Sequence, residues 1–113
     1  MKVAGDLTKK KCVPCEGGAK PLIADEYEAY LRNALAGWIA VDAVKIEKEY
    51  KFKNFQKALD FVSLVGQIAE EEGHHPDIFL HNWNKVTLTL STHAIGGLSE
   101  NDFILATKID STQ

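Results

Sequence analysis

The segment at residues 85–92 alternates strictly between apolar and polar side chains, and this pattern restricts the possible folds more than any other feature of the chain. In an extended strand Val86, Leu88 and Leu90 would face one side, while Lys85 and the intervening threonines would face the other. Strands with one apolar and one polar side are typical of antiparallel sheets that are covered on a single face. The sequence therefore predicts such a sheet.

Apolar residues at helical spacing predict three helices, and short alternating runs predict three further strands. Asn54 and Ser99 are suitable N-cap residues, Asp25 is a third, and Gly73 is a suitable C-terminal stop. The helices are expected at residues 26–36, at residues 55–72 and from Ser99 onward, and the additional strands at residues 38–41, 44–52 and 78–82. The order α-β-β-α-β-β-α with short connections predicts an α+β fold, in which three helices pack on one face of a four-stranded antiparallel sheet.

The length of 113 residues indicates one domain. Residues 1–25 contain a Gly-Gly pair and two prolines and are interpreted as an N-terminal arm, with the domain at residues 26–113. The net charge of −3 argues against nucleic-acid binding through phosphate contacts. No apolar run approaches the roughly 20 residues of a membrane span, and the first residues lack the apolar region of a signal peptide, so a cytoplasmic protein is expected.

Both cysteines lie in the arm, as the motif Cys12-Val-Pro-Cys15. A glycine pair and a proline follow the motif, which favours a structural turn. One such motif also supplies half of the ligands of a four-coordinate zinc site. Redox chemistry is a third interpretation, although redox motifs normally follow a strand and open a helix. The sequence leaves all three possibilities open.

All four histidines fall within 20 consecutive positions, and three of them, His74, His75 and His93, are the candidate functional residues. An imidazole with an ordinary pKa of about 6.5 can donate and accept protons at neutral pH. Pro76 favours an extended conformation at His75, so the adjacent pair is expected on a stiff turn after the second helix. His93 follows the alternating strand on its polar side and can point towards that turn. A functional site is therefore predicted between the turn and the strand end.

Three interpretations of these histidines compete. They could cap the end of the preceding helix, where positive charge is favourable. They could bind zinc, although their spacing matches no common ligand pattern. They could also act as general acid and base on one substrate without a metal.

Several short motifs resemble those of the pterin-4a-carbinolamine dehydratases, over about residues 38–109. They include a Phe-Lys-Asn-Phe segment that begins at Phe52, and they continue with Gly73-His-His-Pro-Asp77, Trp83-Asn-Lys-Val86, Ser91-Thr-His93 and Gly97-Leu-Ser-Glu-Asn-Asp102. The arm resembles the N-terminal extension of some bacterial members. The resemblance implies removal of water from 4a-hydroxytetrahydropterin, the product of pterin-dependent aromatic amino-acid hydroxylation, to give quinonoid dihydropterin.

The resemblance also implies which residues form the site. The pterin would be the substrate, and neither a cofactor nor a metal would take part. The implied catalytic residues are His74, His75 and His93; the implied substrate-binding residues are Gly73, His74, His75, Ser91, Thr92, His93 and Ala94; and the implied supporting residues are Glu70, Asp102 and Trp38, the last as an apolar wall for the pterin. Gly73 and Ala94 stand where animal members of the family carry acidic residues.

The expected partners are the pterin, further copies of this chain as a homodimer or homotetramer, and an aromatic amino-acid hydroxylase of the same pathway. The alternating strand carries no proline and one charge, Lys85, so it is interpreted as an unprotected edge that pairs with a second copy. The alternative is that this strand is central and the chain is monomeric. Because the family also includes proteins that chiefly bind other proteins, a non-catalytic interaction or pterin-binding module is the alternative.

Overall fold

The computed structural model describes Lys10, Cys12, residues 20–34 and residues 37–113. The helices are α1 (Ala24–Ala34), α2 (Phe55–Glu72) and α3 (Glu100–Asp110), and the strands are β1 (Ile39–Val41), β2 (Lys45–Lys51), β3 (Asp77–His81) and β4 (Lys85–Leu90). The strands form one antiparallel sheet in the order β1-β2-β4-β3. This confirms the predicted α+β fold and its order of elements.

The apolar side of the alternating strand forms the centre of the core. Val86, Leu88 and Leu90 are completely buried, as is their neighbour Ile46 on β2, and they belong to one cluster with residues of α2 and α3. Burying an aliphatic side chain of this size contributes roughly 1.5–3 kcal/mol. The partly exposed residues of β4 lie on the opposite face of the sheet. The predicted one-sided burial is confirmed.

The helix α2 begins and ends, and α3 begins, where the cap residues predict. The side chain of Asn54 accepts a hydrogen bond from the backbone N–H of Lys57, and α2 stops at Gly73, which has a φ of 67°. A positive φ costs glycine little, so the chain can turn sharply there. Ser99 opens α3 with a capping box in which Asp102 is the acidic partner. These caps place the histidine turn and the start of α3.

The predicted start of α1 is wrong by two residues, because the side chain of Glu26 binds the N–H of the residue that directly precedes the helix. The carboxylate of Glu26 accepts a hydrogen bond from the N–H of Ile23, 2.9 Å away. This reciprocal contact makes Ile23 the capping position and draws Asp25 into the first turn. The predicted end of α1 at residue 36 lies outside the described residues.

The buried stripe of α2 also differs from the one that helical spacing predicts, which is Phe55, Ala58, Leu59, Val62, Val65, Gly66 and Ala69. Ala58, Val65 and Ala69 are buried as expected, but Phe55 and Leu59 are 49% and 38% exposed, and Phe61 is buried instead. The rings of Tyr50 and Phe52 pack on Phe61, with centroids 4.6 and 4.9 Å away. These aromatic contacts decide which side of α2 faces the sheet.

The alternating strand is not an edge, so the predicted pairing through it is wrong. β4 pairs with β2 over residues 85–90 and with β3 over residues 85–89. The edges of the sheet are β1 and β3. Because both sides of β4 are hydrogen-bonded within the chain, it needs neither charges nor proline to prevent pairing with another molecule.

The first cysteine of the arm is part of the folded core. Cys12 is 8% exposed, its N–H donates to the carboxylate of Glu72 at 2.9 Å, and its Sγ lies 3.6 Å from the carbonyl oxygen of Asn101. Burial and the charge of Glu72 raise the pKa of the Cys12 thiol to about 12. Both metal binding and redox chemistry require a thiolate, so a structural role for Cys12 is favoured. Cys15 lies outside the described residues.

None of the helices described is long and apolar enough to cross a membrane.

Candidate active site

A buried carboxylate joins the histidine turn to α3. The Nε2 atom of His74 lies 2.6 Å from Oδ1 of Asp102, whose side chain is completely buried. The other carboxylate oxygen accepts hydrogen bonds from the hydroxyl of Thr92 and the N–H of Ser99, both at 2.9 Å. Because both oxygens are satisfied, Asp102 can be buried without an unpaired polar atom. It holds the imidazole of His74 in a defined orientation.

The second histidine of the pair binds a different carboxylate. Nε2 of His75 lies 2.5 Å from Oε2 of Glu70, which is five residues earlier in the chain, on α2. Both side chains are mainly exposed, at 60% and 78%, so water screens the interaction. The adjacent imidazoles therefore diverge, one held by α3 and one by α2.

The third histidine lies in a tight turn after β4. Residues His93–Ile95 form a 3₁₀ turn, and Thr92 pairs with Gly97 on either side of it. The side chain of His93 is exposed and lines a cavity of about 290 Å³. The lining residues are Val44, Lys45, Ser91, Thr92, His93, Gly96 and Gly97.

The sheet register brings the histidine turn and this cavity to the same end of the molecule. Asp77, the first residue of β3, lies opposite Thr89 of β4, so the residues before β3 and after β4 meet there. Asp102 connects the two segments because it contacts both His74 and Thr92, the residue before His93. His74 and His75 are not among the lining residues of the cavity in the described part of the chain.

Of the predicted substrate-binding residues, Ser91, Thr92 and His93 line the cavity. Gly73 forms the end of α2 beside the histidine pair, and Ala94 is exposed within the 3₁₀ turn. The structure thus places all of these residues on the two segments that meet at this end of the sheet.

Trp38 lies elsewhere. Its indole is 4% exposed, its N–H donates to Asp110 at 3.0 Å, and its ring contacts the edge of Tyr50. Asp110 and Asp102 are eight residues apart on α3, which corresponds to about 12 Å along the helix. In this structure Trp38 therefore belongs to the core beneath the opposite end of α3 rather than to the cavity wall.

The sequence patterns did not point to Val44 and Lys45 as cavity residues. Lys45 occupies a polar position of an alternating strand, where a solvent-facing lysine is the ordinary interpretation. The signal that it lies near His93 is the pairing of Ile46 with Leu90, and strand pairing is a property of the tertiary structure.

Within the part of the chain that the structure describes, no group of three or more His, Cys, Asp or Glu side chains is arranged to hold a metal ion. His74 and His75 instead bind separate carboxylates.

The sequence profile of the family described as pterin 4 alpha carbinolamine dehydratase matches residues 20–112. The chain belongs to this family. A protein of Alkaliphilus metalliredigens, provisionally named a pterin-4-alpha-carbinolamine dehydratase, is 47% identical over 108 residues, which are 96% of each chain. The mitochondrial pterin-4-alpha-carbinolamine dehydratase 2 of Arabidopsis thaliana is 46% identical over 96% of this chain and 59% of its own length.

One solved structure supports the same assignment, and a second shares the fold. The protein of Brucella melitensis named transcriptional coactivator/pterin dehydratase superimposes with a TM-score of 0.74 at 34% identity, over 81% of this chain and 97% of its own. A pterin dehydratase-like protein named as a RuBisCO assembly factor of the alpha-carboxysome gives a TM-score of 0.57 at 22% identity, over 66% of this chain and 87% of its own. The second likeness concerns the fold alone.

Proposed function

We propose that this member of the pterin carbinolamine dehydratase family removes water from 4a-hydroxytetrahydropterin to form quinonoid dihydropterin during tetrahydropterin recycling. Membership of the family supports the reaction. The observation that carries the proposal is the chain of contacts from His74 through Asp102 to Thr92, which connects the histidine turn with the strand end at His93.

Proton transfer alone balances this reaction. The bond between C4a and the hydroxyl oxygen breaks, and a general acid donates one proton so that the oxygen leaves as water. A general base removes one proton from a ring nitrogen, whose electron pair forms the new double bond. Two imidazoles can perform both steps, and positioned proton transfer typically accelerates a reaction about 10²- to 10⁴-fold.

The surroundings suit the three histidines to different tasks. His93 is exposed on the wall of the cavity and is positioned to meet the substrate. Glu70 orients His75, and Asp102 orients His74. The substrate would lie between the segments Gly73 to His75 and Ser91 to Ala94, where the backbone N–H and C=O groups of the two turns can contact the polar edge of a pterin.

Substitution of the two exposed histidines tests the catalytic assignment. We expect His75→Ala and His93→Ala each to lower the rate of dehydration at least about tenfold, near the low end for acid–base catalysis. Neither imidazole is buried, so the fold should be retained. Stopped-flow absorbance of freshly prepared carbinolamine measures the rate.

His81→Ala is the matched control. This fourth histidine lies on β3, stacks on Phe79 and contacts Thr87 at 3.0 Å, away from the cavity. Its substitution should leave the rate unchanged, and treatment of the wild-type protein with EDTA should also leave it unchanged, because the proposed steps need no metal. Wild-type rates in both site variants would refute the catalytic assignment.

A non-catalytic role in binding a protein or a pterin is the second candidate. The name of the Brucella melitensis protein includes both a transcriptional coactivator and a pterin dehydratase, which supports a binding role as the second candidate. The same assay separates the two candidates: a binding module would bind dihydropterin without accelerating the loss of water from the carbinolamine.

A further inference from the structure

The cavity beside His93 has a positively charged wall. Among the cavity-lining residues that the structure describes, Lys45 is the only one with a permanent charge and none is acidic. Gly73 and Ala94, which flank the histidines, are also uncharged. This polarity is opposite to the net charge of −3 of the whole chain.

Lys45 is available to a ligand. Its side chain is half-buried at the start of β2, and in the described residues it makes no ion pair or hydrogen bond. The carboxylate of Glu47, the next acidic group on the same face of β2, accepts a hydrogen bond from Thr89 at 3.0 Å. The nearest acidic side chain along the strand therefore has another partner.

Two further polar groups of the wall also lack partners within the described chain. The hydroxyl of Ser91 and the imidazole of His93 line the cavity and make no hydrogen bond there. An ammonium group, a hydroxyl and an imidazole can all donate hydrogen bonds. Because His93 is assigned to the reacting ring, Lys45 and Ser91 remain as donors for another part of the ligand. Around a space whose described lining holds no carboxylate, they favour an anionic oxygen, since hydrogen bonds to charged groups are the strong ones.

We propose that this cavity receives the substituent of the pterin ring, that the preferred substituent ends in a carboxylate or phosphate group, and that Lys45 determines this preference. The inference rests on the proposed function, because it takes the ligand to be a pterin whose reacting ring lies beside the histidines. The cavity volume of about 290 Å³ is at the lower limit of ligand pockets, which suits a compact anionic group.

The size of the effect follows from the exposure of the lysine. A half-buried ammonium group is partly screened by water, so we expect roughly a fivefold preference for the anionic ligand, which corresponds to the upper range of exposed ion pairs. Added salt should reduce this preference, because the Debye length shortens from about 10 Å at 0.1 M to 3 Å at 1 M.

Matched ligands measure the preference directly. Isothermal titration calorimetry would compare 7,8-dihydroneopterin with its monophosphate, and 6-hydroxymethylpterin with 6-carboxypterin, at low and high salt. Within each pair the anionic member should bind the wild-type protein about five times more tightly. The pair with the larger ratio identifies phosphate or carboxylate as the preferred group.

Variants assign the preference to one residue. Lys45→Met should remove the difference within each pair, and Lys45→Arg should retain it. Lys51→Met is the control, because Lys51 is an exposed lysine of the same strand that does not line the cavity, and the difference should persist in this variant. A ratio near one in the wild-type protein, or an unchanged ratio in Lys45→Met, would overturn the inference.

The binding ratios test the anionic preference, and the dehydration assay tests the proposed function, so either proposal can be refuted without the other. A protein that dehydrates the carbinolamine but binds both members of each pair equally would retain the proposed function and refute the anionic preference. A protein without dehydratase activity whose anionic preference depends on Lys45 would refute the proposed function and support an anion-selective pterin site.

Discussion

At the scale of single residues, Asp102 combines a structural and a functional task. Its carboxylate completes the capping box of α3 through the N–H of Ser99, and it also binds Thr92 and His74. A carboxylate can accept all of these hydrogen bonds at once, whereas an amide has one oxygen and one donor group. The residue that completes the N-terminal cap of α3 is therefore also the one that orients the imidazole.

Replacing the carboxylate of Asp102 by an amide keeps the shape of the side chain but removes its charge. We expect Asp102→Asn to lower the free energy of unfolding by about 1–3 kcal/mol. The reason is that the NH2 group of the amide would replace a carboxylate oxygen, so at least one buried partner would lose its hydrogen-bond acceptor. Dehydration should fall at least about tenfold, because His74 loses the carboxylate that orients it. Urea unfolding and stopped-flow absorbance measure the two effects.

Asp60→Asn serves as the control for this substitution. Asp60 is exposed on α2 and contacts Gln56 one turn earlier, so neither stability nor rate should change. Full activity of a folded Asp102→Asn protein would show that the contact with His74 is not needed for the reaction.

At the scale of elements, a buried ion pair fastens the end of α2 to α3. Nζ of Lys108 lies 2.5 Å from Oε2 of Glu72, and these side chains are only 20% and 8% exposed. The other oxygen of Glu72 accepts the N–H of Cys12. Because Glu72 directly precedes Gly73, this pair connects the arm and α3 to the base of the histidine turn.

Removal of the lysine should therefore be costly. We expect Lys108→Met to lower the free energy of unfolding by about 3 kcal/mol, because removing one partner of a buried ion pair is strongly destabilising. The double variant Glu72→Gln/Lys108→Met should recover part of the loss. Urea unfolding at one fixed protein concentration measures the difference.

The exposed pair of α1 is the comparison. Arg32 and Glu28 are 3.8 Å apart and 70% and 56% exposed, so Arg32→Met should change stability by less than about 0.5 kcal/mol. Equal losses in Lys108→Met and Arg32→Met would contradict the importance of burial.

At the scale of the whole molecule, the two edges of the sheet differ. β1 has 3 residues, whereas β3 has 5 and exposes 62% of Phe79 and 37% of Ile78. A longer, apolar edge without proline is the better template for pairing with another strand. The homo-oligomer expected from the family resemblance remains a prediction, and we propose that its interface involves β3 rather than β4.

Light scattering tests this assembly. We expect a mass of twice 12.5 kDa, or a multiple of it, at micromolar protein. Phe79→Lys should lower the mass, because a charge on the edge opposes pairing. Ile39→Lys on β1, where the side chain is similarly exposed at 60%, should leave it unchanged. A wild-type protein that remains at 12.5 kDa would refute the oligomer, although the site could still form within one chain.

The local pattern of the sequence determined the order of the elements and several of their limits. Asn54, Gly73 and Ser99 act through their own backbone geometry and immediate neighbours, so their positions as caps could be predicted. The strict alternation of β4 likewise determined which of its faces is buried. The approach of the histidine turn to the end of β4 was also predicted, because hairpin-like strands bring those residues together.

Contacts between residues distant in sequence were decided only by the tertiary structure. Phe61 rather than Phe55 is buried on α2 because it packs on an aromatic ring of β2. The position of β4 between two strands depends on how the hairpins pair. Lys45 reaches the cavity because Ile46 lies opposite Leu90. Alternation assigns a residue to a face of a sheet but specifies neither the neighbouring strand nor its register, so only the folded chain could place this lysine beside His93.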